Sequence, residues 1–331
     1  MKPILSILVP TFQRCHHLEL LLEELEFQLS SLPQGFAEVV VGDNCSNDDT
    51  QQVVARYVAR NASWRYIRNE VNVGADRNFI SLVHVASGSY FWILGDDDLP
   101  RRGLLLGLAS VLANEAPSLF FLPPLGCSNV GPLVKPPLHE LSTVSYAALD
   151  FARKVNHWVT FMSCWIVNSE HLRLIGLPYD YFQGHLGTNL IQLSWSLPLM
   201  VNPRSKLIAA DDVCIIATTG NSGGYNVLKT FCLNYPDVVR QCFSANASMS
   251  RAMIVPYVRS GLPGLIFAVR NGGYCEPGQS RGIVSQSIAR YWCYPSFWLL
   301  CMPSFIAPLF MLKPFVSIAR RLLLLVRSLF P

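Results

Sequence analysis

The sequence predicts an α/β protein: a mostly parallel central sheet with helices on both faces, followed by a helical C-terminal segment that associates with membranes. Three observations lead there. Short apolar runs alternate with stretches of helical period over roughly the first 120 residues. The polar loops PTFQR, GDNCSNDD and GDDD each follow an apolar run, so right-handed crossovers would bring them to one rim of the sheet. Past residue 250 the composition changes: nine Lys or Arg stand against one acid, Glu276, whereas residues 1–250 hold seventeen bases and twenty-one acids.

The elements follow in order. ILSILV (4–9) is a continuous apolar run, as expected of a strand covered on both faces, and reads as that rather than as a signal peptide. Leu18, Leu21, Leu22, Leu25 and Leu29 recur at helical spacing. Residues 37–41 form a second, β-branched strand ending at Gly42 and Asp43, and 50–60 a helix with Val53, Val54, Tyr57 and Val58 inward. A strand at 64–67, a helix at 77–86 and a strand at 90–94 come next, the last ending at Gly95 and three aspartates. A helix at 104–112 and a strand at 119–122 complete the alternation. Residues 123–144 are Pro-rich and expected to be irregular; a helix near 146–154, a strand near 158–167 and helices near 186–197 and 226–243 follow.

The C-terminal segment differs. Residues 291–312 carry no charge, a length that could cross a bilayer, but Pro295, Pro303 and Pro308 interrupt it. FVSIARRLLLLVRSLF then places Arg320, Arg321 and Arg327 among apolar residues, which fits a helix lying on anionic lipid. Residues 291–331 are therefore expected to meet a membrane surface as a monotopic or re-entrant anchor. A true span, or a docking face for a partner or a homodimer, is the alternative. With 51% hydrophobic and 15% charged residues among 331, disorder and disulfide-stapled mini-protein classes are excluded. The ten cysteines show no C-x-x-C and no zinc spacing, so they read as reduced, mostly buried thiols. A mildly acidic body with a basic, greasy tail points away from nucleic acid.

Asp96, Asp97 and Asp98 at a strand end repel one another and are best neutralised by a divalent cation. Carboxylate oxygens suit Mg²⁺ or Mn²⁺, which commonly bridge one or two carboxylates to substrate phosphates. Asp98 could instead cap the helix that follows. Asp43, at a strand tip, is placed to accept hydrogen bonds from a base or ribose, or to form an Asx turn. In NEVNVGADRN, Arg77 and Asn78 open a helix, a place where an arginine and free N–H groups favour phosphate.

Taken together, LSILVPTFQR, VVVGDNCSNDDT, RNEVNVGADRN and GSYFWILGDDDLP resemble an inverting family 2 glycosyltransferase of the GT-A fold, closely over residues 4–100 and loosely to about 230. The triple aspartate and NSGGYN resemble sugar transferases of bacterial surface polysaccharides, including the abequosyltransferase-like group. The resemblance implies a Rossmann-like GT-A domain at 1–230, with 1–122 holding the nucleotide-sugar and 123–230 the acceptor. A helical extension at 231–290 and the membrane-associating segment 291–331 complete the chain. Pro10 and Thr11 would line the base pocket, Asp43 would bind base or ribose, and Arg77 and Asn78 would lie beside the nucleotide. Asp96 and Asp97 would contact the nucleotide-sugar, and Asp98 would hold the metal. Gln13 stands where the family often has Asn. No carboxylate matches the family's base cleanly; Asp180 and His185 are the candidates, with Asp211-Asp212 a weaker third. GNSGGYN (220–226) would close over the diphosphate. The implied reaction moves a sugar from a nucleotide-diphosphate donor to a lipid-linked oligosaccharide or polysaccharide at the cytoplasmic face of a bacterial inner membrane. A phosphoryl-transfer or hydrolase enzyme, or an inactive membrane-bound scaffold of the same fold, is the alternative.

Overall fold

Residues Leu5–Thr11 form β1, a strand in which every residue is buried. In parallel with it on one side runs β2 (Ala37–Asp43), itself paired with β3 (Trp64–Arg68), and on the other side β4 (Tyr90–Ile93). Helices α1 (Cys15–Leu29), α2 (Thr50–Val58) and α3 (Ala75–Val85) make the crossovers. The leucines expected on one helical face, Leu18, Leu21, Leu22 and Leu25, are fully buried against the sheet, in line with the need of an amphipathic helix to cover its apolar stripe. The register sets Pro10 opposite Gly42 and Thr11 opposite Asp43, so two strand tips end side by side.

The computed structural model describes residues 2–127, 135–219, 224–272 and 282–312. The chain divides into two compact units, Met1–Thr219 and Gly220–Pro331. The first continues through β5 (Asp98–Pro100), α4 (Leu104–Asn114), β6 (Leu119–Phe121), β7 (Pro124–Cys127) and β8 (Thr143–Tyr146). After these come α5 (Ala148–Val155), β9 (Trp165–Asn168), α6 (Ser169–Leu174), α7 (Tyr179–Gln183), α8 (Leu193–Val201), β10 (Leu207–Ala210) and β11 (Ile215–Thr218). The main sheet has the order β3-β2-β1-β4-β9-β6-β10-β8, in which β9 is antiparallel to both its neighbours and β8 to β10. A small second sheet, β5-β11-β7, pairs Asp98 with Ala217. This is the α/β architecture expected, with its parallel half at the N-terminal end.

The second half departs from the expected elements. The run 158–167 is a strand only at Trp165–Asn168; before it lie two 3₁₀ turns, Asn156–Thr160 and Met162–Cys164. Asn156, at φ 38°, breaks the chain direction there, and apolar content alone cannot tell turn from strand. The helix expected at 186–197 starts at Leu193, because residues 186–192 form a loop held by side chains. The Pro-rich stretch supplies β7 and β8, while 128–134 lie outside the described residues.

The second unit is helical. A continuous helix, Ala247–Arg270, contains 24 residues and is the one described helix long and apolar enough, by length and composition, to cross a membrane. Its bend at Tyr257–Gly261 is a π turn, as are Lys229–Asn234 and Phe297–Cys301. A π turn displaces carbonyls from the regular ladder, and here side chains meet them. The hydroxyls of Tyr257 and Tyr291 donate to Phe231 O at 3.2 and 3.5 Å, and the Cys301 thiol to Val258 O at 3.4 Å. The uncharged run 291–312 is not one helix; it breaks at 292–294, ahead of Pro295, and at 307–308, at Pro308, whereas Pro303 is accommodated inside the helical stretch Phe297–Ile306, next to its π turn. Trp292, Trp298, Leu299, Ile306, Phe310 and Met311 are exposed along it. Arg320, Arg321 and Arg327 lie outside the described residues, as do 220–223 of the glycine-rich stretch.

Candidate active site

Three loops meet beyond the strand tips. The β1 loop is tied to the β2 loop by Gln13 N–H donating to Ser46 Oγ at 2.8 Å, Asn44 N–H to Thr11 O at 2.9 Å, and Cys15 N–H to Asp48 Oδ2 at 3.0 Å. The last contact has a carboxylate from one loop satisfying the first turn of α1 from another, which also suits the helix dipole. Gln13 and Cys45 adopt φ of 54° and 71° in these loops, a backbone conformation that costs energy for non-glycine residues and gathers at functional sites.

The β4 loop brings the aspartates. Thr11 Oγ1 donates to Asp96 Oδ2 at 2.7 Å, and the Arg14 guanidinium reaches Asp96 Oδ1 at 3.2 Å and Asp97 Oδ2 at 2.9 Å. Asp98 points another way: Ser163 Oγ–H donates to its Oδ2 at 2.5 Å and Thr218 N–H to its Oδ1 at 3.3 Å, while Thr218 Oγ1–H donates to Asp97 O. Ser163 in turn accepts from Gly95 N–H at 2.9 Å. A Cβ at Gly95 would stand 2.7 Å from Asp98 Oδ2 and 3.2 Å from Asp97 Oδ1, so both carboxylates lean over the space that glycine leaves.

The charges do not balance. Burial raises the Asp96 carboxyl to about 6, against the pull of Arg14. Burial and repulsion from Asp97 push Asp98 well above the usual carboxylate range. Arg14 is the one cation paired with these three acids among the described residues. Burial works against its charge, yet Asp96 and Asp97 hold its pKa above the ordinary value. A cation added beside Asp97 and Asp98 would relieve both the repulsion and the cost of burying charge. Among the described residues no group of three or more His, Cys, Asp or Glu encloses a metal. The carboxylate oxygens of Asp97 and Asp98 are hard donors of the kind that suits Mg²⁺ or Mn²⁺.

The other predicted residues take different places. Pro10 is buried in β1. Asp43 is 1% exposed, and its carboxylate accepts from Ser46 N–H at 2.8 Å and Tyr66 O–H at 2.6 Å, with Arg68 Nε at 3.4 Å. A nucleoside would have to add to these bonds or replace them. Asn78 is also turned inward: its amide donates to Gly42 O at 2.9 Å and accepts from Asn69 at 3.1 Å. Asn44, Asn69 and Asn72 extend that network and fix Val73 N–H and Gly74 N–H, shaping the loop ahead of α3. Arg77 is exposed on the first turn of α3. His185 is fully buried with Nδ1 at 2.8 Å from Tyr181 O, and burial lowers its pKa. Asp180 stands in α7; its side chain lies outside the described residues. Asp212 is paired with Arg101 at 2.7 Å, a structural tie. Trp165 and Trp195 are core, whereas Trp158 is 39% exposed.

Arg14, Ser163, Thr218 and Asp76 were not singled out from the sequence. Arg14 carried a signal, a lone cation after the first strand on the same rim as three acids. Ser163 and Thr218 carried none, since each comes from a distant part of the chain.

Residues 6–176 match the family model described as Glycosyl transferase family 2, more than half of the chain. The chain belongs to glycosyl transferase family 2. Abequosyltransferase RfbV of Salmonella typhimurium is 34% identical over 118 residues, 34% of each chain. A GalNAc(5)-diNAcBac-PP-undecaprenol beta-1,3-glucosyltransferase of Campylobacter jejuni is 32% identical over 115 residues, 34% of this chain and 35% of the other. The match thus spans about a third of the length of these curated relatives. Among solved structures, residues 1–349 of S. aureus TarS with UDP-GlcNAc superpose with TM-score 0.54 at 17% identity, covering 91% of this family 2 chain and 78% of TarS. Mannosyltransferase PcManGT of Pyrobaculum calidifontis, with GDP-Man and Mn²⁺, gives 0.52 at 16%, covering 92% and 85%. The fold is that of GT-A glycosyltransferases.

Proposed function

We propose that the chain is a metal-dependent inverting glycosyltransferase that moves a sugar from a nucleotide-diphosphate donor to a lipid-linked oligosaccharide or polysaccharide acceptor. The observation that carries the reading is the acid turn: Asp97 and Asp98 lean over Gly95, Asp98 is buried, and burial and repulsion from Asp97 raise its pKa, while Arg14 pairs with Asp96 and Asp97. Asp98, with Asp97, would hold Mg²⁺ or Mn²⁺, which when bound would supply charge stabilisation to the departing diphosphate. Arg14 orients Asp96 and Asp97. Thr11 fixes Asp96, and Arg77 at the start of α3 offers a guanidinium to phosphate. Pro10, Thr11 and Asp43 would line the base and ribose side. The acceptor hydroxyl needs a base; a neutral His185 can take a proton at pH 7 if its ring is uncovered, and Asp180 is the alternative. The relatives' names, an abequosyltransferase and an undecaprenol-linked glucosyltransferase, support a lipid-linked or O-antigen type of acceptor. The exposed apolar residues 292–311 and the basic sequence beyond them support placement at the cytoplasmic face of the bacterial inner membrane. We also keep the functional division of the chain at 1–122, 123–230, 231–290 and 291–331 as part of this proposal.

The deciding experiment is thermal unfolding of the full chain with UDP, GDP or CDP, each with and without Mn²⁺, followed by turnover of a panel of nucleotide-sugars. A metal-dependent rise in Tm with one nucleotide, lost in Asp98→Asn, is expected. Equal shifts with and without metal would remove the metal from the reading.

A further inference from the structure

Asp76 lies on the first turn of α3, one residue before Arg77, and is 6% exposed. Its carboxylate does not cap its own helix. Oδ2 accepts the Asn189 N–H at 3.0 Å, and the neighbouring backbone of Gly187 and Ile191 also favours its charged form, while the Thr188 N–H donates to His185 O at 3.3 Å. The 187–191 loop thus sets the Asn189 amide on a buried anion, a contact that suits negative charge. Gly187 and Asn189, at φ 77° and 56°, supply the curvature. The same loop is tied to His185: Thr188 Oγ1–H donates to His185 O at 2.6 Å, and Leu190 N–H to Thr188 Oγ1 at 3.1 Å. On the other side, α3 is fixed to the tip of β2 by Asn78. One carboxylate thus joins the helix that presents Arg77 to a loop that begins at His185, across 113 residues of sequence.

We propose that Asp76 is a positioning residue, whose carboxylate holds the 187–191 loop against the start of α3 and so sets the acceptor side of the site relative to the donor side. This rests on the reading of α3 as donor-facing and the 185–191 loop as acceptor-facing. Removing the charge leaves the Asn189 amide without its anion, and the loop loses its tie to α3. Donor contacts made by the acid turn and Arg77 are unaffected, because Asn78 still anchors α3.

The test compares full-length wild type, Asp76→Asn and Asp76→Glu by amide hydrogen exchange, with UDP, GDP or CDP plus Mn²⁺ as probes, and by steady-state turnover of the nucleotide-sugar the wild type uses. In Asp76→Asn, exchange at 187–191 should rise at least tenfold while β1 and β2 keep their protection. kcat should fall about tenfold with donor KM within twofold, and Asp76→Glu should regain part of kcat. Unchanged loop exchange overturns the proposal, as does faster loop exchange with unchanged kcat, or donor KM rising as kcat falls. Loss of protection throughout the sheet in both variants also overturns it, since Asp76 would then be a general folding determinant. If the wild type binds no nucleotide, the donor reading fails and the positioning role with it, while the exchange data still report whether the carboxylate holds the loop.

Discussion

Asp96 and Asp98 show how a single side chain can oppose the stability of its own fold. Asp96 titrates near 6 in the folded protein against 3.8 for an ordinary aspartate. Between about pH 4 and about pH 6 the folded chain holds a proton that the unfolded chain has lost, so stability falls as pH rises through that window. The loss is up to about 3 kcal/mol at neutral pH. Asp96→Asn should flatten the slope, read as the change in urea midpoint between pH 5 and pH 7; parallel curves for the two proteins would contradict it. Asp98→Asn removes a carboxyl whose ionisation burial and Asp97 oppose and should raise Tm in the absence of nucleotide, while lowering turnover at least a hundredfold. Asp98 could be picked out in the sequence because three adjacent acids have few bland explanations. Asp76 could not, since a lone acid in a first helical turn is ordinary, and only the fold brings residues 187–191 to it.

At the scale of elements, the parallel half was legible and the antiparallel half was not. Runs such as LSILV and AEVVVGD are buried on both faces, and their composition says so. Trp165–Asn168 is equally buried, yet its flanking turns look just as apolar, and its antiparallel place between β4 and β6 depends on residues far apart. The loop ahead of α3 is likewise an asparagine network that no period announces. Asn78→Ala should cost about 1–3 kcal/mol, because Gly42 O and the Asn69 amide lose a buried partner. Chemical denaturation measures that cost, and nucleotide affinity should fall in the same variant as the loop loosens.

For the whole molecule, the second unit begins at Gly220, ahead of the change in charge balance past residue 250, and its helices follow prolines and π turns rather than one straight span. The exposed side chains of Trp292, Trp298, Leu299 and Phe310 should bring the protein to vesicles containing anionic lipid. Flotation with phosphatidylglycerol vesicles is expected for the full chain and should be lost on deletion of 291–331. Trp292→Ser with Trp298→Ser should weaken it at least fivefold, as removal of two interfacial aromatics requires. Retained flotation in the deletion would move the contact to the Ala247–Arg270 helix.

The bond from Thr218 to Asp98 has a practical reach beyond the site. The family match stops at residue 176, and a chimaera spliced there would look sound on paper. It would discard β11, remove the Thr218 bonds to Asp97 and Asp98, and strip β6 of its β10 neighbour. Grafts between relatives should therefore be joined after Thr219, where the first unit ends, and a swap at 176 should yield a protein that neither binds nucleotide nor stays in solution.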